Sequence, residues 1–314
     1  MCRIVAVTML LLFVSPAAQA DIFAVGADKA VWKLPPPGAF GAAAKPVKAF
    51  DAAKVKGSIV DVVYLQNLFF FLTDKGDIWS GETQGKKAGK VRRRTKSKKY
   101  RLVDLEVADG TLYSLTEGGE VNRIVVNAKG QMRQTRALKP QKTVGLRRAG
   151  GFHVAGGRAF ILDGSSKPPG RGGLFSADTA ATHAERSNIM RWQCMLGNKA
   201  AKKCMTALRD IGADAKHVYV FACKTAKGQT KARVYKLPRG GWLGPLGPRN
   251  GVAWSFDGPG GTIDCDVQSS VFQRNVFTFA TAKQVWSLNL AKKGTQAVRQ
   301  VHGKGATAVM VIGR

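Results

Sequence analysis

Apolar and polar positions along this chain alternate in runs of five to eight residues that stop at short polar turns. Residues 60–64 read Val-Asp-Val-Val-Tyr, and residues 102–107 read Leu-Val-Asp-Leu-Glu-Val. Both are too short and too rich in β-branched residues for helices, so they are read as strands. A larger unit is superimposed on this alternation: a run carrying an aromatic, a tight turn, then a second run with an aromatic near its centre. The first aromatics are Phe23, Phe69, Tyr113, Phe160, Tyr219 and Phe277, spaced by 44 to 59 residues. The second positions are Trp32, Trp79, Asn122, Phe175, Tyr235 and Trp286, where Asn122 breaks the aromatic series. Turns at 74–77, 109–110 and 117–120 supply the glycine that tight hairpins favour.

A β-rich unit of this size, repeated six times, predicts an all-β, six-bladed β-propeller with one four-stranded blade per unit. Ahead of five units lies another β-like run, at 59–65, 102–108, 151–155, 208–213 and 262–267, read as an innermost strand. The first unit has none, and residues 306–312 supply the missing run. The C-terminal strand is therefore predicted to pair into the N-terminal blade and close the ring, which removes an open sheet edge. A seventh blade would need a cryptic repeat within 177–206 or 237–258 and is the weaker count. A short helix is expected near 199–207, and expanded turns at 164–173 and 224–231.

Across residues 21–314 the chain resembles the β-propeller superfamily. The turn-and-strand segments Gly76-Asp77-Ile78-Trp79 and Gly119-Glu120-Val121-Asn122 are similar to repeats of NHL-type and lactonase-like six-bladed members. No full signature of a specific family is matched, and WD40 and kelch hallmarks are absent. The resemblance implies a fold and transfers no functional residue.

Residues 1–20 read as a signal peptide: Arg3, an apolar stretch over 4–14, then the small-x-small site Ala18-Gln19-Ala20. No later apolar run reaches the roughly 20 residues of a membrane span. The expectation is a secreted protein, extracellular or periplasmic, with a single propeller domain over 21–314 and a monomeric state. Export makes Cys194, Cys204, Cys223 and Cys265 candidates for two disulfides, with Cys194–Cys204 and Cys223–Cys265 favoured among three connectivities. The competing zinc reading lacks a paired C-x-x-C spacing and a nearby His pair.

Charge changes the functional picture. The chain has 50 Lys and Arg against 20 Asp and Glu, a formal net charge of +30. A surplus of that size speaks to partners rather than fold. Residues 85–101 hold Lys86, Lys87, Lys90, Arg92, Arg93, Arg94, Lys96, Lys98, Lys99 and Arg101 without an acid. Such a block repels itself unless an anion compensates it, or it is simply a solvated rim or processing site. A second acid-free stretch, 121–162, includes Arg133, Arg136, Lys139, Lys142, Arg147 and Arg148. The expected partner is an acidic glycan, an anionic lipid surface or an acidic protein. Nucleic acid is disfavoured because no aromatic interleaves the cations between residues 85 and 99.

Catalytic signals are thin, and no cofactor or catalytic residue is assigned. His153, His183, His217 and His302 are scattered without paired spacing, and His153 is placed near the central channel. Residues 72–79, Leu-Thr-Asp-Lys-Gly-Asp-Ile-Trp, approximate the Asp-box, which is a structural turn. Asp61, Asp104, Asp210, Asp264 and Asp266 recur near the inner strands, as turn or edge residues or as channel carboxylates. The sequence thus favours a non-catalytic anion-binding protein. The alternatives are a metal-dependent hydrolase or lactonase centred on the channel, and a structural scaffold.

Overall fold

The computed structural model describes residues 20–35, 45–95, 101–127, 130–138, 149–163, 174–179, 197–198, 203–204, 206–226, 229–239, 253–256, 267–292, 298–302 and 304–312. The segment 1–20, expected to be a signal peptide, lies outside them apart from residue 20. Inner hairpins are set by two-residue turns in which both residues have positive φ: Gln66-Asn67 (51° and 63°), Asp109-Gly110 (49° and 69°), Gly156-Gly157 (49° and 75°) and Arg274-Asn275 (48° and 63°). This conformation matches the right-handed twist of the flanking strands, so each turn fixes the register of a blade's first two strands.

Blade one contains β1 (Asp21–Val25), β2 (Ala30–Leu34) and β3 (Val47–Asp51). Blade two contains β4 (Ile59–Leu65), β5 (Leu68–Thr73), β6 (Ile78–Glu82) and β7 (Val91–Arg93). Blade three contains β8 (Leu102–Ala108), β9 (Thr111–Thr116), β10 (Val121–Val126) and β11 (Met132–Leu138). Blade four contributes β12 (Ala149–Ala155), β13 (Arg158–Asp163) and β14 (Leu174–Asp178) among the described residues. A small ladder of β15 (Gly197–Asn198) and β16 (Lys203–Cys204) precedes blade five, which holds β17 (Thr206–Ala213), β18 (His217–Ala226), β19 (Gln229–Pro238) and β20 (Ala253–Phe256). Blade six holds β21 (Val267–Gln273), β22 (Val276–Thr281), β23 (Val285–Asn289) and β24 (Val298–His302). The last strand, β25 (Ala308–Ile312), pairs antiparallel with β1, Asp21 opposite Ile312 and Val25 opposite Ala308. The ring therefore has six blades and is closed by the C-terminal strand, as the repeat pattern predicts.

Three local expectations are corrected. The innermost strand of blade six is 267–273 rather than 262–267, because the two-residue turn at Arg274-Asn275 sets where the hairpin begins. No helix forms among the described residues of 199–207; residues 203–204 pair with 197–198, and β17 begins at Thr206. Residues 224–231 are not an expanded loop: β18 and β19 lengthen until Ala226 faces Gln229.

Packing lies between blades. Phe23, Phe69 and Phe71 cluster with Val31, Phe50, Val62 and Met310, joining blades one and two. Tyr219, Phe221, Phe272, Phe277 and Phe279 join blades five and six. Trp79, Phe175, Tyr235 and Trp286 are buried and Trp32 is partly so, which places the second aromatic series in this core rather than in a surface stacking ring. Asn122 fits the same environment by hydrogen bonding: its Oδ1 accepts from Gln134 Nε2 at 2.7 Å.

Candidate functional site

Two regions concentrate charge: the central channel and the outer rim of blades two and three. The channel is a cavity of about 460 Å³ walled by the innermost strands. Each of β4, β8, β12, β17 and β21 enters it through a bulge next to its start, at Ile59/Asp61, Leu102/Asp104, Ala149/Gly151, Leu208/Asp210 and Val267/Ser269. A bulge frees ladder donors and re-aims side chains. The residue after each bulge then recurs as Asp61, Asp104, Gly151, Asp210 and Ser269 around the ring.

Their acceptors satisfy backbone donors of the next blade. The Leu105 N–H donates to Asp61 Oδ2 at 2.7 Å, and the Phe152 N–H donates to Asp104 Oδ2 at 2.9 Å. The Val309 N–H donates to Ser269 Oγ at 3.2 Å. Asp210 Oδ2 accepts from the hydroxyl of Ser270, also on the next blade, at 2.5 Å. Where the preceding blade offers no such side chain, at Gly151 and Ala308, the following aspartate serves its own strand. Asp210 accepts from the Ile211 amide, and Asp61 Oδ1 accepts from Val62 N–H at 2.8 Å. One turn further in, Glu106 Oε2 accepts from Val154 N–H and Glu106 Oε1 meets His153 Nδ1, both at 2.7 Å. The ring of His153 also stands edge-on to Phe272 with centroids 5.6 Å apart.

Burial governs the protonation of this cluster. It pushes Asp210 up to about 7 against the opposing pull of its Ser270 and Ile211 hydrogen bonds. It raises Asp61 and Asp104, which hydrogen-bond to each other, and Asp104 is raised further by the charges of Asp61 and Asp210. For His153, burial lowers the value, but the charge and hydrogen bond of Glu106 outweigh it and the net shift is upward.

His153 lines the channel, and of the five aspartates left open between turn or edge residues and channel carboxylates, Asp61, Asp104 and Asp210 line it too; Asp264 and Asp266 lie outside the described residues. Sequence reasoning overlooks Glu106, although Asp104 and Glu106 occupy alternate positions of one strand and therefore share a side. Among the described residues, no three His, Cys, Asp or Glu side chains are arranged to hold a metal ion. The channel carboxylates are instead committed to backbone and hydroxyl donors, so the metal-dependent hydrolase reading gains no support. The Asp-box-like segment is a structural turn: Thr73 N–H donates to Asp77 O, and Asp74 Oδ1 accepts from Ser58 N–H.

At the rim, the basic run at 85–101 is continuous in sequence and divided in space. The connection from β6 to β7 lies beside the Gln66-Asn67 turn, where the amide and hydroxyl of Thr83 both donate to Asn67 O. Lys86, Lys87 and Lys90 are exposed on that side. Strand β7 then carries the chain across to the opposite side, where Glu117 N–H donates to Arg101 O. Arg92 is exposed on β7. Arg93 Nη2 is paired with Asp77 Oδ2 at 2.6 Å. Arg94 is partly buried; its Nε donates to Ser80 Oγ at 2.6 Å, and burial and Arg92 both lower its affinity for a proton. Of the second contour, Arg133 is exposed on β11, and Arg136 lies on the same strand opposite Arg123. Lys96, Lys98, Lys99, Lys139, Lys142, Arg147 and Arg148 lie outside the described residues, as do Cys194 and Cys265. Cys204 is on β16, and Cys223 is on β18 opposite Ala207.

No protein-family model matches the chain, and no curated protein matches it either. Solved structures do. A chain of the nidogen/laminin complex is similar at 11% identity and a TM-score of 0.60, over 94% of this chain and 98% of that one. The extracellular domain of BT4673 from B. thetaiotaomicron matches at 11% identity and a TM-score of 0.49, this chain spanning 45% of its length. The computationally designed Ika8 protein matches at 12% identity and a TM-score of 0.42, this chain spanning 65% of its length. At these identities the likeness concerns the fold alone. No helix among the described residues is long and apolar enough to cross a membrane.

Proposed function

We propose that the protein is an exported, non-catalytic binding propeller that recognises an anionic partner, an acidic glycan in the first instance, through the cationic rim of blade two. The observation that carries this reading is the set Lys86, Lys87, Lys90 and Arg92. All four are exposed, and none has a carboxylate partner among the described residues. Other exposed cations do find one, as in Lys48–Asp51 at 2.9 Å and Arg93–Asp77 at 2.6 Å. Unpaired cations keep their charge available and lose little side-chain freedom to internal pairing. Arg123 and Arg133 are also exposed, on neighbouring blade three. No aromatic side chain is among the exposed large hydrophobics of the described residues, so recognition through charge is favoured over stacking on bases or sugar rings.

The test compares elution from immobilised heparin with elution from a sulfonate resin of matched charge density. The quadruple variant K86Q/K87Q/K90Q/R92Q should lose the extra salt resistance on heparin. Parallel losses on both resins would reduce the rim to generic basicity and defeat the proposal.

A further inference from the structure

We propose that the channel cluster is a proton-held clasp: protons carried by Asp61, Asp104, Asp210 and His153 draw blades two to five together, and their release in alkaline solution slackens that seam. The clasp is independent of whatever the rim binds.

Its chemistry follows from which groups face one another. Two carboxylates hydrogen-bond to each other only when one keeps a proton, and Asp61 and Asp104 do so across the seam between blades two and three. His153 lies between Glu106 Oε1 and the backbone of Ala213. An imidazole with an acceptor at each ring nitrogen donates from both only as the imidazolium. That ring therefore links β8, β12 and β17 while it is charged. At Gly151 the ring of side chains is interrupted, and the carboxylates of Asp104 and Asp210 converge there. A Cβ on Gly151 would stand 3.4 Å from Asp210 Oδ1 and 3.5 Å from Asp104 Oδ2. Ionising both would set two negative charges against each other, with the charge of His153 acting on Asp210 as a partial offset.

The facing groups can be named from every wall. β4 brings Asp61 and Tyr64, β8 brings Asp104 and Glu106, β12 brings His153, and β17 brings Asp210. β21 brings the neutral Ser269 and Ser270, with Arg274 where the strand ends, and the described part of β25 brings no ionisable side chain. Asp109 lies at the exposed end of β8. The shifts of the four clasp groups all have one sign. Each holds its proton more tightly folded than unfolded, so the stabilisation is present in acid and is lost as pH rises from about 4 through about 7, and beyond 6.5 for His153. His302 opposes them, since burial and Lys304 lower its value and its share is lost as pH falls.

Thermal melts at pH 5.5 and pH 8.0 test the clasp. Wild-type Tm should fall by about 5 °C between them. In D104N/D210N, amides supply the donors without titrating, and the fall should be at most about half as large while His302 is untouched. An equal fall in both proteins overturns the proposal. Should the double variant fail to fold, hydrogen exchange in the wild type decides. Protection at the Leu105 and Phe152 amides should drop about tenfold or more relative to Phe71 in β5 over the same range. Unchanged relative protection overturns it.

Discussion

The channel and the rim of blade two use charge in opposite ways. In the channel, each acid is placed against a donor: Asp61 on Leu105 N–H, Asp104 on Phe152 N–H, Glu106 on Val154 N–H, and Asp210 on Ser270. At the rim, Lys86, Lys87, Lys90 and Arg92 face solvent without a carboxylate partner among the described residues. A charge whose partner is internal serves the fold, and its removal is felt as instability. A charge whose partner is absent contributes little to the fold, and its removal should be felt in binding. The same ionisable chemistry thus answers two different questions according to its neighbours.

The largest break in this contrast should come from Asp104→Ala, which strands the Phe152 amide and takes away the group that Asp61 leans on. A loss of about 3 kcal/mol by denaturant unfolding is expected. His153→Gln should cost about 2 kcal/mol at pH 6 and less at pH 8, because the charged ring is the form that holds Glu106. A cost that does not change with pH would move His153 from electrostatics to shape. Asp77→Asn, at an ion pair whose Arg93 end is exposed and whose carboxylate is buried, should cost about 1 kcal/mol, checked by the same unfolding curves. The quadruple rim variant should stay within about 0.5 kcal/mol of the wild type while its heparin retention falls. Should that variant instead unfold at low denaturant, the rim would be structural and the contrast would collapse.

Much of the ring is written in local signals. The bounds of the innermost strands 59–65 and 102–108 are legible because bulky apolar runs stop at a polar pair, Gln66-Asn67 or Asp109-Gly110. Blade six is misplaced by five residues because its innermost strand, Val-Gln-Ser-Ser-Val-Phe-Gln, carries little bulky apolar alternation. The site was less legible. Asp61, Asp104 and Asp210 recur visibly, but their partners are amides 44 or more residues away or hydroxyls on another blade. That pairing depends on how neighbouring sheets are staggered, which no single strand encodes. The rim shows the converse. Residues 85–101 look like one patch in sequence, yet among their described residues a three-residue strand separates 85–90 from Arg101 on the opposite side of the ring.

The pairing of β25 with β1 has a mechanical consequence. Asp21 and Ile312 face each other at one end of an antiparallel ladder whose other end is Val25 opposite Ala308. A pulling force applied at those two residues would load one rung at a time, peeling the ladder rather than shearing it. Blade one would open at low force and leave the remaining blades an open arc, whereas the same force applied across two interior blades would meet several interfaces in parallel.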